Sequence, residues 1–196
     1  MKLGNLISFI HIPRTGGHSL MRALSEATGE RWALDDVEIR GNRLLRMNAL
    51  GRGFHPPLEH CAAELNPIVI SVVRNPWDWL LSLYHTNSAP KETFDQWLFG
   101  TGLRLPNQCQ WLRDPHGSTP MPKRLLKYEH LQAGYDELAE ELDLPAITLT
   151  PSHQSSPRKH YSTYYSPEFA EIVGRAFRKD CKFFDYDFQQ EALPVH

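Results

Sequence analysis

Two runs of consecutive apolar residues, each stopped by loop-forming residues and followed by a helical pattern, constrain this chain more than any other feature. Residues 5–11 (NLISFIH) are rich in Ile and Phe and stop at Pro13 and Gly16-Gly17, after which Leu20, Ala23, Leu24 and Ala27 fall at helical spacing across residues 19–27. Residues 68–73 (IVISVV) run into Arg74-Asn75-Pro76, and Trp77, Leu80, Leu81 and Tyr84 then repeat the helical pattern. Strands that are apolar throughout, rather than alternating, are buried on both faces. Two strand-loop-helix units therefore predict an α/β fold, a parallel β-sheet flanked by helices. Residues 124–128 (RLLKY) are the expected third strand. Helices are expected over residues 131–142 and 167–177, the latter with Ser166 as cap and Pro167 in its first turn. Residues 35–57, 100–122 and 148–161 read as irregular, and long connections of this kind are where ligands are held.

The chain has 196 residues, 41% hydrophobic and 22% charged, without an internal repeat or a linker-like tract, which points to a single domain over residues 1–196. Cys61, Cys109 and Cys181 are odd in number and widely spaced, the pattern of a reducing compartment rather than of a disulfide framework or a structural zinc site. A formal net charge of −2 offers no basic footprint for nucleic acid. The apolar start is broken by Asn5, Ser8 and His11 and reads as a buried strand rather than a signal peptide. No run approaches the ~20 apolar residues of a membrane span. A cytoplasmic location is the expectation from these features.

The turn between the first strand and the first helix reads His11-Ile12-Pro13-Arg14-Thr15-Gly16-Gly17-His18-Ser19-Leu20. Gly16 and Gly17 let backbone N–H groups approach an anion, the helix N-terminus adds partial positive charge, Thr15, His18 and Ser19 add donors, and Arg14 adds a full charge. By itself such a segment is also what an ordinary strand-to-helix turn looks like. It is not a Walker A loop, because GxxxxGK[ST] is absent. The segment resembles the 5′-phosphosulfate loop of sulfotransferases that use 3′-phosphoadenosine 5′-phosphosulfate (PAPS), above all the carbohydrate sulfotransferase branch, whose usual form is HIPKTGGTSL. Arg14 stands where that family has Lys and His18 where it usually has Thr. A planar guanidinium keeps the charge of an ammonium but not its shape.

The second strand ends in Val73-Arg74-Asn75-Pro76, with Ser82 further along the following helix and Tyr84 just beyond. This resembles the family's 3′-phosphate signature, and a dianionic phosphate suits a bidentate guanidinium completed by a hydroxyl donor. Taken alone, Arg74 would read as a surface ion pair. Two phosphate-loop signatures in the same order on two strand-to-helix turns favour the ligand-binding reading. The similarity continues through Asn107-Gln108, Trp111-Leu112, Tyr128-Glu129 and residues 153–186, ending in Phe184-Asp185-Tyr186-Asp187-Phe188. It implies a P-loop-like sulfotransferase fold. It also implies a segment closing over the donor, with Ser155, Arg158 and Lys159 as donor contacts, and it offers Gln108 and Trp111 as candidate acceptor contacts. His153 departs from the Asn common at its position.

Sulfuryl transfer needs a base for the acceptor, a cation for the charge on the leaving phosphate, and in-line placement. Arg14 is the candidate cation. His55, in Gly53-Phe54-His55-Pro56-Pro57, is the candidate base implied by the family's GHxP-like element, with His60, His18 and Glu59 as rivals. His55 and His60 lack HExxH spacing, so no metal is expected. The resemblance implies transfer from PAPS to a hydroxyl or amine of a saccharide or small molecule, leaving adenosine 3′,5′-bisphosphate. The competing readings are a P-loop-type kinase and a domain that binds the donor nucleotide without catalysis.

Overall fold

The computed structural model describes residues 7–29, 68–86, 92–112, 122, 124–150 and 159–188. They form a mixed α/β structure built on a small parallel sheet of three strands in the order β1-β2-β3. β1 is Ile7–Ile10, β2 is Ile68–Val73 and β3 is Arg124–Lys127. Ile7 pairs with Ile68 at one end of the first ladder, and the second runs from Ile70 against Arg124 to Val73 against Lys127. Ser71, wholly buried in β2, donates its hydroxyl to the Ile10 carbonyl at 2.8 Å, so the polar member of an apolar strand is satisfied inside the sheet.

Each of the first two strands feeds a helix, as the paired pattern predicts. α1 is Gly17–Thr28 and α2 is Pro76–Tyr84. β3 ends one residue earlier than expected, because Tyr128 opens a short 3₁₀ turn, Tyr128–His130, that leads into α5, Leu131–Glu141. The stretch 100–122 is not wholly irregular. Where it is described, it holds a 3₁₀ turn, Gly102–Arg104, and a one-turn helix, α4, Gln108–Trp111. Before it lies α3, Phe94–Gly100, started by Thr93 and Gln96 in a reciprocal capping box. A further 3₁₀ turn, Tyr161–Tyr164, precedes α6, Pro167–Ala176, capped by Ser166 as the sequence predicts, and α7, Arg178–Phe184, follows.

The sheet carries a core on each face. Ile70, Val72 and Leu126 pack with Leu20, Ala23 and Leu24 of α1 and Tyr135, Leu138 and Ala139 of α5. Ile10 and Val73 pack with Trp77, Trp79, Leu80 and Leu81 of α2, Phe94, Trp97 and Leu98 of α3, and Val173 and Phe177 from the α6 end. Two aromatic residues of the second core have bonded polar ends: Trp77 Nε1 donates to the Ala170 carbonyl at 3.0 Å, and the Tyr165 hydroxyl donates to the Trp77 carbonyl at 2.8 Å. Trp97, Trp111, Tyr161 and Tyr165 belong to this core, which accounts for their aromatic character without a ligand. Two layers of helices thus hold the carboxyl ends of β1 and β2 side by side.

Candidate functional site

The loop after β1 is shaped by its backbone. Arg14 has φ 65° and Gly16 φ 87°, both left-handed, and Gly16 is the N-cap of α1 without a side-chain cap. Ser19 therefore lies inside the first turn, which begins two residues earlier than the apolar spacing suggests, and it is buried. A Cβ on Gly16 would lie 2.8 Å from Tyr128 Cδ2 and 2.9 Å from Leu131 Cδ2, so the close approach of the β3–α5 connection requires glycine here as well. A Cβ on Gly17 would run into the His11 ring. Thr15 is wholly buried and donates its hydroxyl to the Ile12 carbonyl at 2.9 Å. That hydroxyl braces the loop from within, instead of facing an anion as the motif suggests. Trp79 Nε1 donates to the Pro13 carbonyl at 2.8 Å and ties the loop to α2.

His11 and His18 stand edge to face with ring centroids 5.1 Å apart. His11 Nδ1 is buried and has no hydrogen-bond partner, and burial, reinforced by His18, lowers the His11 pKa from 6.5 to about 4. His11 is a neutral imidazole at physiological pH, so the positive charge of this loop comes from Arg14 and from the first turn of α1.

The loop after β2 is held more tightly still. Asn75 caps α2 by accepting from Trp77 N at 3.1 Å, while its own N–H donates to Glu129 Oε1 at 2.7 Å and its side-chain amide donates to the Asp187 carbonyl at 2.9 Å. Tyr186 donates its hydroxyl to the other Glu129 oxygen at 2.8 Å. Burial, and then the Glu129 charge, push the Tyr186 phenol well above its ordinary value. Arg74 is 5% exposed. Its Nε donates to Asp78 Oδ2 at 2.8 Å, Nη2 meets the same oxygen at 2.6 Å, and the guanidinium lies 3.8 Å above the centre of the Tyr128 ring. Placed four residues on, Asp78 is the carboxylate that helical spacing supplies to Arg74.

These two loops meet. Arg74 Nη1 donates to the Arg14 carbonyl at 2.9 Å, and Arg14 Nε donates to Ser82 Oγ at 3.2 Å. Arg14, Gly16, Gly17, His18, Ser19, Arg74 and Ser82 are therefore gathered at the carboxyl ends of adjacent parallel strands, the usual ligand position in open α/β sheets. Asp78 and the Arg14 carbonyl take three bonds from Arg74, whose guanidinium carries five N–H groups. The arrangement can receive a phosphate as a further, charge-assisted partner of an arginine already held in place.

Other predicted site residues fall elsewhere. Gln108 is wholly buried, with both ends of its amide on the Arg74 backbone, and Trp111 is 4% exposed in the aromatic core with an unbonded Nε1. Arg74, 5% exposed, and Ser82, 3% exposed, are enclosed to the same degree as Trp111. Lys159 is exposed at the start of its segment. His55, Ser155 and Arg158 lie outside the described residues, as do His60, Glu59 and His153. Sequence reasoning missed Asp78, Glu129, Trp79 and Asp180. Asp78 carried a usable signal in its spacing from Arg74, and Glu129 in the Tyr128-Glu129 similarity. Among the described residues no group of three or more His, Cys, Asp or Glu is placed to hold a metal ion, and no helix is long and apolar enough to cross a membrane. No protein-family model, curated protein or solved structure matches the chain at a significant level.

Proposed function

We propose that this chain is a PAPS-dependent sulfotransferase with a P-loop-like fold, its donor lying across the two strand-to-helix turns. The observation that carries the reading is the pair of contacts joining the turns, Arg74 to the Arg14 carbonyl and Arg14 to Ser82. A nucleotide with phosphates at both the 3′ and 5′ positions needs two anion subsites on one ligand, and two turns in contact suit that requirement. The 5′-phosphosulfate would lie over Gly16, Gly17, His18 and Ser19 at the start of α1, and the 3′-phosphate against Arg74 and Ser82.

In the reaction proposed, the acceptor oxygen attacks sulfur while the bond from sulfur to the 5′-phosphate oxygen breaks. His55 takes the acceptor's proton, and Arg14 with the first turn of α1 stabilises the charge left on adenosine 3′,5′-bisphosphate. Saccharide hydroxyls are the favoured acceptors. A Walker lysine is missing from the first loop, which weighs against a kinase.

A second reading, donor binding without transfer, has one observation in its favour. The Arg14 guanidinium is bonded to Ser82, on the side of the 3′-phosphate rather than of the leaving group. Calorimetric titration with adenosine 3′,5′-bisphosphate tests what the two readings share: micromolar binding that is lost in Arg74→Ala and not reproduced by ATP is expected, and no binding to folded wild-type protein would remove both. Transfer from labelled PAPS to a saccharide panel then separates them.

A further inference from the structure

We infer that Gln108 and Asp180 are positioning residues that set Arg74 for the 3′-phosphate, an inference that rests on the donor-site reading above. The last register pair between β2 and β3 is Val73 with Lys127, after which β3 turns away into the 3₁₀ turn at Tyr128. Arg74 is thus the first residue past the ladder and has lost its strand neighbour. Gln108 takes that neighbour's place. Its Oε1 accepts from Arg74 N at 3.0 Å and its Nε2 donates to the Arg74 carbonyl at 2.7 Å, closing a two-bond clamp on one residue's backbone.

The clamp is itself held. Asp180, wholly buried in α7, accepts from Gln108 N at 2.6 Å through Oδ2 and from Cys109 N at 2.8 Å through Oδ1. Asn107 adds a brace on the same side, its side-chain amide donating to the Ala176 carbonyl at 3.2 Å. A buried glutamine and a buried carboxylate are costly unless every polar atom is matched, and here each is matched by the backbone that must stay still. The chain of contacts therefore runs from α7 through the first turn of α4 to Arg74, whose guanidinium is then aimed by its bonds to Asp78 and the Arg14 carbonyl and by the Tyr128 ring. A guanidinium displaced by about 1 Å loses the two-point geometry that a phosphate requires.

The test compares calorimetric affinity for adenosine 3′,5′-bisphosphate with that for adenosine 5′-monophosphate in the full chain. Gln108→Glu keeps size and one clamp bond but turns the other into an oxygen facing an oxygen. Asp180→Asn leaves one backbone N–H facing an amide N–H₂. Each is expected to weaken the bisphosphate about tenfold or more while leaving the monophosphate within about twofold. Equal losses for both nucleotides, or no loss, would overturn the positioning role. A wild type that does not prefer the bisphosphate would instead overturn the donor-site reading, and this inference with it. If both variants fail to fold, amide hydrogen exchange in the wild type decides: Arg74 N–H is expected to exchange as slowly as the β2 interior, and fast exchange would show that no clamp holds it.

Discussion

Arg14 Nε and Ser82 Oγ are 3.2 Å apart although 68 positions separate them in sequence. The residue at which the first loop differs from the HIPKTGGTSL pattern it resembles thus bonds a serine of the helix after β2. Ser82→Ala removes this bond and, in the proposed donor site, one donor to the 3′-phosphate. It is expected to weaken adenosine 3′,5′-bisphosphate about tenfold, with adenosine 5′-monophosphate nearly unaffected, in parallel calorimetric titrations. Arg14→Lys, whose ammonium has no Nε–H fork, is expected to lose the same contact while keeping charge near the 5′ end, and so to raise the transfer rate from PAPS relative to bisphosphate affinity.

Gly16→Ala meets two obstacles at once, a left-handed φ of 87° and a Cβ 2.8 Å from Tyr128 Cδ2. A loss of about 1–3 kcal/mol in urea unfolding is expected. Tyr128 also lies under Arg74, so relief of the clash by moving that ring should weaken the bisphosphate as well.

Trp79→Phe deletes the bond from Nε1 to the Pro13 carbonyl and leaves space beside Phe177, against which the indole stands edge to face at 6.1 Å. Stability is expected to fall by about 2 kcal/mol. Exchange of the amide hydrogens in the loop after β1 should accelerate, and unchanged exchange there would mean that the indole does not brace the loop.

Two buried groups pull the acid stability in opposite directions. His11, lowered from 6.5 to about 4, stays neutral in the folded chain while the unfolded chain takes up a proton, so its contribution is lost as pH falls between those values. Asp180 is raised from 3.8 to about 6 by burial, against the lowering effect of the Cys109 and Gln108 N–H bonds. The folded chain protonates it first, and stability is gained as pH falls from about 6 toward 3.8. Each effect is on the order of 3 kcal/mol at ~1.4 kcal/mol per pH unit. Their sum should leave little net slope between pH 6 and 4, and Asp180→Asn should unmask the His11 loss as a steep fall in urea midpoint. A flat profile in that variant would show that folded His11 accepts a proton.

The strand-turn-helix units were legible because their causes are local. β2 runs from Ile68 to Val73, as its apolar run predicts, and Ser166 with Pro167 marks the start of α6 correctly. α3 was also legible in principle, through Thr93 and Gln96 three residues apart, whereas α7 starts at Arg178 behind the apolar cap residue Phe177 and offers no signal. The site was half legible. Glycines, arginines and a serine at strand ends carry their chemistry on their face. The roles of Gln108 and Asp180 do not, because they depend on pairings 34 and 72 positions apart that no spacing rule reaches. Thr15 misled for a related reason: a hydroxyl in a phosphate-loop motif turned inward to Ile12.

The bond from the Asn75 side chain to the Asp187 carbonyl joins residues 112 positions apart. A ribosome making this chain must add Asp187 after the turn following β2 has already emerged, so the turn waits unfinished for more than half the length of the protein. Closing so long a loop is slow, and the proposed nucleotide site is then among the last parts of the molecule to set. Truncated chains ending before Tyr186 would then leave translation with their sheet in place and no affinity for a doubly phosphorylated nucleotide, a difference between fold and function that a length series would resolve residue by residue.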